Sequence, residues 1–136
     1  MAKIFLDSDI ILDVILDRKA FVAESAKILE SCEFGTHKGF TSALILANIH
    51  YIISRQKIAN PSAIISQIAE ILKVSSLDEF DIQNSISSEF ADFEDGIQHS
   101  IAVKSKCNFI ITRNTKDYVA SKLLACTPQE FLEFKS

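Results

Sequence analysis

Short apolar stretches alternate along this chain with longer segments whose apolar residues recur at helical spacing. The stretches KIFL, KVSSL and NFIIT have the composition of buried strands, and helical patterns follow them. Alternation of this kind calls for a parallel sheet, because each crossover between strands contains a helix that packs on a face of the sheet. The sequence therefore predicts an α/β fold with a central parallel sheet flanked by helices on both faces.

Capping residues and breakers indicate where the predicted helices begin and end. DIILDVILD follows the first strand, and residues 21–33 form a second amphipathic pattern that the segment EFGTHKG interrupts. Thr41 or Ser42 is a natural N-cap for the apolar helix after it, and Asn60 precedes Pro61 at the start of the next helix. Further helices are predicted in DEFDIQNSIS and in DFEDGIQHSIAVKSK.

Composition places the chain among ordinary globular domains. Its 136 residues suit one domain, 1–136, and 48% of them are hydrophobic, with only three Gly and two Pro. No apolar run reaches the roughly 18 residues that a membrane helix needs, so we expect no membrane association. The three cysteines are odd in number and show no CxxC spacing, which predicts buried free thiols and a reducing, cytoplasmic location.

Like charges are concentrated directly after the first predicted strand, at Asp7, Asp9, Asp13 and Asp17. Neighbouring carboxylates raise one another's pKa, so a divalent cation, a helix N-terminus or plain solvation must compensate for them. The net charge of −4 argues against broad electrostatic adhesion to nucleic acid. A carboxylate site that carries metal ions can still bind phosphate through those ions.

A second polar group, TRNTKD, directly follows the strand NFIIT. In open parallel sheets the site lies beyond the carboxyl ends of the strands. We therefore expect TRNTKD and the acidic group that follows the first strand to meet at one edge of the sheet.

These segments, in their order and spacing, resemble the PIN domain family over nearly the whole chain. The resemblance rests on IFLDSDIILDVILDR, FTSALILANIHYII and DFEDGIQHSIAVKSKCNFIITRNTKDY, with a final short strand and helix. Within that family, the chain most resembles the small bacterial ribonucleases of the VapC toxin type. It implies hydrolysis of RNA phosphodiester bonds with one or two Mg²⁺ or Mn²⁺ ions, a cognate antitoxin partner and a homodimer. Residues 21–33 and 40–56 are the helices expected at the dimer interface.

The resemblance also assigns roles to individual residues. Asp7, Asp95 and Asp117 are the implied catalytic residues and metal ligands, and Arg113 is the implied contact to RNA. The residues expected to line the site are Asp9, Ser42, Asn48, Glu94, Thr112 and Asn114. Mg²⁺ requires oxygen ligands from a few carboxylates, completed by water. These residue types are therefore also expected on chemical grounds.

For several of these residues a purely structural role is the alternative. Asp7 or Ser42 could simply cap a helix, and Arg113 could pair with a neighbouring carboxylate. Asp13 and Asp17 are expected to be solvated positions on the first helix. His99 follows Asp95 by four residues, but we expect an imidazole that is hydrogen-bonded or exposed to solvent.

Two departures leave alternatives open. Asn48 stands where many PIN nucleases carry a Glu, so the chain could be a degenerate PIN domain that binds RNA or protein without cleavage. Asp7-Ser8-Asp9 after a strand also resembles the nucleophile motif of the haloacid dehalogenases. That family requires Thr or Val where this chain has Ile11, together with a later Lys and a second acidic pair, so this alternative is the weaker one.

Overall fold

A parallel sheet organises residues 1–134, the part of the chain that the computed structural model describes. Its five strands lie in the order β3-β2-β1-β4-β5, and all four strand pairs are parallel. The strands are β1 Lys3–Leu6, β2 Lys38–Ser42, β3 Lys73–Ser75, β4 Phe109–Ile111 and β5 Leu124–Cys126. The predicted α/β fold with a central parallel sheet is confirmed, and positions 135–136 of the predicted domain lie outside the described residues.

Helices connect the strands and cover the sheet. They are α1 Ser8–Ile15, α2 Val22–Glu33, α3 Ala43–Arg55, α4 Pro61–Ile71, α5 Glu79–Ile86, α6 Phe93–Lys104 and α7 Pro128–Phe134. Helix α5 packs against α6, whereas α2 packs against α1, α4 and α7. A short 3-10 helix, Thr115–Tyr118, follows β4.

Two helix starts lie at caps predicted from the sequence. Ser42 is the N-cap of α3, and its side chain accepts a hydrogen bond from the backbone N–H of Ile45. Asp92, which was not predicted as a cap, accepts from the backbone N–H of Asp95 at the start of α6. Asn60 is the N-cap residue of α4, with Pro61 following, but its side chain makes no capping hydrogen bond and its φ is 53°. The backbone conformation, not the amide group, therefore sets the start of α4.

The sequence pattern does not predict strand β2, because Gly39 lies in the segment EFGTHKG, which indicates the end of a helix. The structure pairs Gly39 with Ile4 of β1. A Cβ at Gly39 would lie 2.5 Å from Cys32 Sγ and 2.5 Å from Leu72 Cδ2, so any other residue would force these side chains to shift. The glycine here belongs to a strand over which two neighbouring elements approach closely.

The core is centred on the middle strand β1 and its neighbour β4. Ile4, Phe5 and Leu6 of β1 and Ile110 and Ile111 of β4 have no exposed surface, as expected for strands covered on both faces. The predicted buried free thiols are confirmed for Cys32, Cys107 and Cys126. No helix within residues 1–134 is long and apolar enough to cross a membrane.

Candidate active site at the carboxyl edge of the sheet

Parallel strands bring the predicted polar groups to one edge of the sheet. Asp7 follows the last residue of β1, Ser42 ends β2, and Thr112 follows β4. Strand β1 lies between β2 and β4, and the backbone N–H of Asp7 donates to the carbonyl of Ile111. The edge therefore places Asp7 at the centre of the candidate site.

Asp7 is held by hydrogen bonds on both carboxylate oxygens. Its Oδ1 accepts from the backbone N–H of Ser8, and its Oδ2 accepts from Thr112 Oγ1 at 2.9 Å and from Tyr118 Oη at 3.5 Å. Burial nevertheless raises the pKa of Asp7 above its ordinary value, and the charge of Asp117 adds to the rise. Asp7 caps α1, which is the purely structural role that the sequence also allowed. At the same time, its negative charge is poorly compensated by the fold.

Asp9 lies in the first turn of α1, and its two oxygens have unequal surroundings. Oδ2 accepts from the backbone N–H of Arg113 at 3.0 Å and from Asn114 Nδ2 at 3.4 Å. Oδ1 is buried and has no hydrogen-bond partner within residues 1–134. Burial, followed by repulsion from Asp7, raises the pKa of Asp9 to about 6. A buried oxygen without a donor is an available ligand for a cation.

Asp95 lies in the first turn of α6 and is electrostatically coupled to the other acidic residues. Burial raises its pKa to about 7, and the charges of Asp92, Asp7, Asp117 and Glu94 add to the rise in that order. Asp7, Asp95 and Asp117 therefore lie close enough to repel one another, although they come from three separate segments. Together with Asp9, these three residues are called the carboxylate cluster below.

Asp13 does not have the solvated position that the sequence suggested. It is fully buried, and Arg113 donates to it from Nε at 3.1 Å and from Nη2 at 3.0 Å. Arg18 and Ser25 donate to the same carboxylate. The expectation for Asp13 is wrong because its partner Arg113 lies a hundred positions later in the sequence, and this bidentate pair fixes the turn after β4 against α1. Asp17, in contrast, is exposed.

Ser42 and Asn48 differ in how their side chains are engaged. Ser42 is buried, and its hydroxyl accepts from the backbone N–H of Ile45 while donating to Gln98 Oε1 at 2.7 Å. It therefore links α3 to α6. Asn48 is half-buried on α3, and its amide makes no hydrogen bond within residues 1–134.

The donor set suits a hard divalent cation. The carboxylates of Asp9 and Asp95 have raised pKa values, and Asp9 Oδ1 has no hydrogen-bond partner within residues 1–134. A cation bound by these oxygens would relieve the repulsion among the carboxylates. Within residues 1–134, however, no group of three or more His, Cys, Asp or Glu side chains is gathered as a metal site. His99 is engaged elsewhere, since its Nε2 accepts from the backbone N–H of Lys122.

A family model for the PIN domain matches residues 3–116, which include the acidic group after β1 and the segment TRNTK after β4, and end one residue before Asp117. The chain belongs to the PIN domain family. This match decides against the haloacid-dehalogenase alternative, which rested on the first motif alone.

Individual relatives agree with the family. The PIN chain is 23% identical to Ribonuclease VapC1 of Aquifex aeolicus (strain VF5), over 96% of this chain and 94% of that protein. A toxin-antitoxin complex from Klebsiella pneumoniae has a TM-score of 0.70 at 17% identity, covering 91% of this chain and 96% of that one. VapBC2 from Rickettsia felis, bound to a DNA fragment from their promoter, has a TM-score of 0.68 at 14% identity, with 90% and 96% covered.

Two site residues were missed in the sequence. Tyr118 is buried beneath Asp7, and nothing in the local pattern marks it. Asp13 does carry a signal, because Asp9 and Asp13 are four residues apart and therefore share one face of α1. Both contact Arg113, so this spacing indicates a basic partner on that face.

Proposed function

We propose that this PIN domain is a divalent-metal-dependent endoribonuclease of the cytoplasm, acting as the toxin of a toxin–antitoxin pair. The observation that carries the proposal is the carboxylate cluster at the carboxyl edge of the sheet, in which burial and the charges of neighbouring acids, Asp7 and Asp117 among them, raise the pKa of Asp95. Similarity to Ribonuclease VapC1 over almost the full length of both chains supports RNA as the substrate.

Asp7, Asp95 and Asp117 would hold Mg²⁺ or Mn²⁺, with Asp9 as a further oxygen donor. The ion, when bound, acidifies a water molecule and neutralises charge on the scissile phosphate. Thr112 and Tyr118 keep one oxygen of Asp7 in a fixed orientation. Glu94 adds negative charge beside Asp95, and Arg113 holds the adjoining turn through its pair with Asp13.

The test is cleavage of a structured RNA by the isolated chain in Mn²⁺, with and without a chelator. Wild type should cleave, the chelator should stop cleavage, and Asp7→Asn and Asp95→Asn should both be inactive while remaining folded. Glu70→Gln, a change at an exposed position of α4, should cleave like wild type. Activity that survives Asp7→Asn and the chelator would contradict the proposal.

The partners proposed for this protein are an antitoxin and a second copy of the chain. Structural similarity to a toxin-antitoxin complex supports a cognate antitoxin that binds this chain. A homodimer is proposed through α2 and α3, supported by exposed aromatic rings: Tyr51 on α3 is 63% exposed and Phe34 after α2 is 76% exposed. Light scattering at micromolar concentration should give twice the mass of one chain, and a monomer would contradict the homodimer.

A binding module without cleavage is the second candidate. Asn48 favours it, because this position lacks the carboxylate of many PIN nucleases. The open arrangement of the acidic side chains within residues 1–134 also favours it. Tight RNA or antitoxin binding by a wild-type chain that cleaves nothing in Mn²⁺ would establish this candidate in place of the nuclease.

A further inference from the structure

A cleft of about 410 Å³ opens next to the carboxylate cluster and has no part in the proposed chemistry. It shares two residues with the surroundings of Asp9, namely Arg113 and Asn114. We call it the side cleft, and the lining residues that matter are Phe21, Glu24, Arg113, Asn114, Thr127 and Gln129.

The guanidinium group of Arg113 lies over the ring of Phe21 in the side cleft, so the two side chains form a stacked pair. The guanidinium carbon of Arg113 lies 3.9 Å from the centroid of the Phe21 ring. Two hydrogen bonds to the buried Asp13 fix the plane of the guanidinium group, so Arg113 cannot swing away from the ring. Phe21 remains 40% exposed. A preorganised aromatic and guanidinium surface of this kind is what unpaired bases stack on.

The charges in the side cleft favour a neutral base over a phosphate. The positive charge of Arg113 is compensated by Asp13, which it shares with Arg18, and by Asp9 Oδ2 at 4.0 Å, and Glu24 adds a further carboxylate to the wall. Glu24 makes no hydrogen bond or ion pair within residues 1–134. An anionic phosphate would be repelled by Glu24, whereas a base brings no charge and can donate to it.

Glu24 also distinguishes among the bases. A carboxylate offers two adjacent acceptor oxygens and no donor. Guanine presents two adjacent donors, N1–H and the N2 amino group, on its Watson–Crick edge, whereas adenine, cytosine and uracil have no two adjacent donors there. Guanine is therefore the RNA base that pairs with both oxygens of Glu24 at once.

We propose that the side cleft binds an unpaired guanine of the RNA strand, stacked on Phe21 and Arg113 and hydrogen-bonded to Glu24. The proposal rests on RNA being the substrate. It deepens that function, because Arg113 and Asn114 join the side cleft to Asp9, so the bound base sets which position of the strand reaches the carboxylate cluster.

The first test measures stacking without cleavage. Fluorescence anisotropy follows the binding of a labelled oligouridine with one central guanine, in the Asp7→Asn background so that the RNA stays intact. Phe21→Leu keeps an apolar side chain and should weaken binding by roughly 5- to 100-fold. Phe21→Tyr should bind like Phe21, and Phe80→Leu, at an exposed ring outside the cleft, should change nothing. Thermal melting confirms that each variant is folded.

The second test measures base selection. Replacing the central guanine by adenine should weaken binding by about tenfold in the Asp7→Asn background, from the loss of a paired donor set. Glu24→Gln should remove most of that preference, because an amide offers one donor and one acceptor. Glu33→Gln, at the exposed end of the same helix, is the matched control and should keep the preference.

The outcomes separate this proposal from the proposed function. Guanine-dependent binding that Phe21→Leu and Glu24→Gln abolish supports the side cleft, even if wild type cleaves nothing. Equal binding of the guanine and adenine oligomers, or binding unaffected by Phe21→Leu, overturns it, even if wild type cleaves RNA.

Discussion

At the scale of single residues, the pair between Asp13 and Arg113 is the most consequential contact that the sequence did not predict. Removing one partner leaves a buried charge without compensation. Asp13→Asn should therefore lower the free energy of unfolding by about 3 kcal/mol, measured by denaturant titration. Asp17→Asn is the matched control, because Asp17 is exposed and its one ion pair within residues 1–134 is with exposed Lys19, so it should leave stability nearly unchanged. Equal effects of the two changes would show that the Asp13 pair does not hold the turn.

Asn48 tests whether the ligand set is incomplete. Asn48→Glu should add a carboxylate oxygen at the position where many PIN nucleases carry one, and an added negative ligand tightens hard-cation binding. We expect higher Mn²⁺ affinity and faster RNA cleavage at low Mn²⁺. Asn48→Gln introduces the same side-chain length without the charge and should resemble wild type, and adding Asp7→Asn to the Asn48→Glu variant should abolish its activity. No change in either quantity would mean that position 48 does not face the site.

At the scale of secondary-structure elements, Ser42 joins the start of α3 to α6. Ser42→Ala removes an N-cap and leaves Gln98 Oε1 buried without its donor, so we expect a loss of about 2 kcal/mol of unfolding free energy. Ser62→Ala, an exposed position in the first turn of α4, should cost much less. Calorimetric or denaturant unfolding measures both, and equal losses would contradict the link between α3 and α6.

Local sequence predicted elements well wherever their determinants were local. Periodicity and caps located α1 and α3, because apolar spacing and Ser42 act within a few residues. The prediction missed strand β2 because Gly39 packs closely against Cys32 and Leu72, which approach it from other elements. The prediction that Asp13 is solvated was wrong for the same reason, since Arg113 reaches it across the fold. Family resemblance, not periodicity, supplied Asp95 and Asp117.

At the scale of the whole molecule, the raised pKa values of Asp95 and Asp9 make the metal-free protein sensitive to pH. Their folded pKa values, about 7 and about 6, exceed the ordinary 3.8, so the folded state binds more protons than the unfolded state in this window. Their contribution to stability is complete below pH 3.8 and is lost as the pH rises through 6 and 7. Melting temperatures of metal-free wild type should therefore fall over this range, and Asp95→Asn should flatten the decline. A rising or flat wild-type profile would contradict these shifts.

The central claim is that the carboxylate cluster is a divalent-cation site, and titration calorimetry of Mn²⁺ into the metal-free chain tests it most directly. Binding requires deprotonated carboxylates, so Mn²⁺ must displace protons from Asp95 and Asp9. The account predicts that Mn²⁺ affinity increases from about pH 6 to about pH 8, that protons are released into the buffer at the lower pH, and that Asp7→Asn abolishes binding. Binding that is absent in wild type, or unchanged by pH and by Asp7→Asn, would contradict the account.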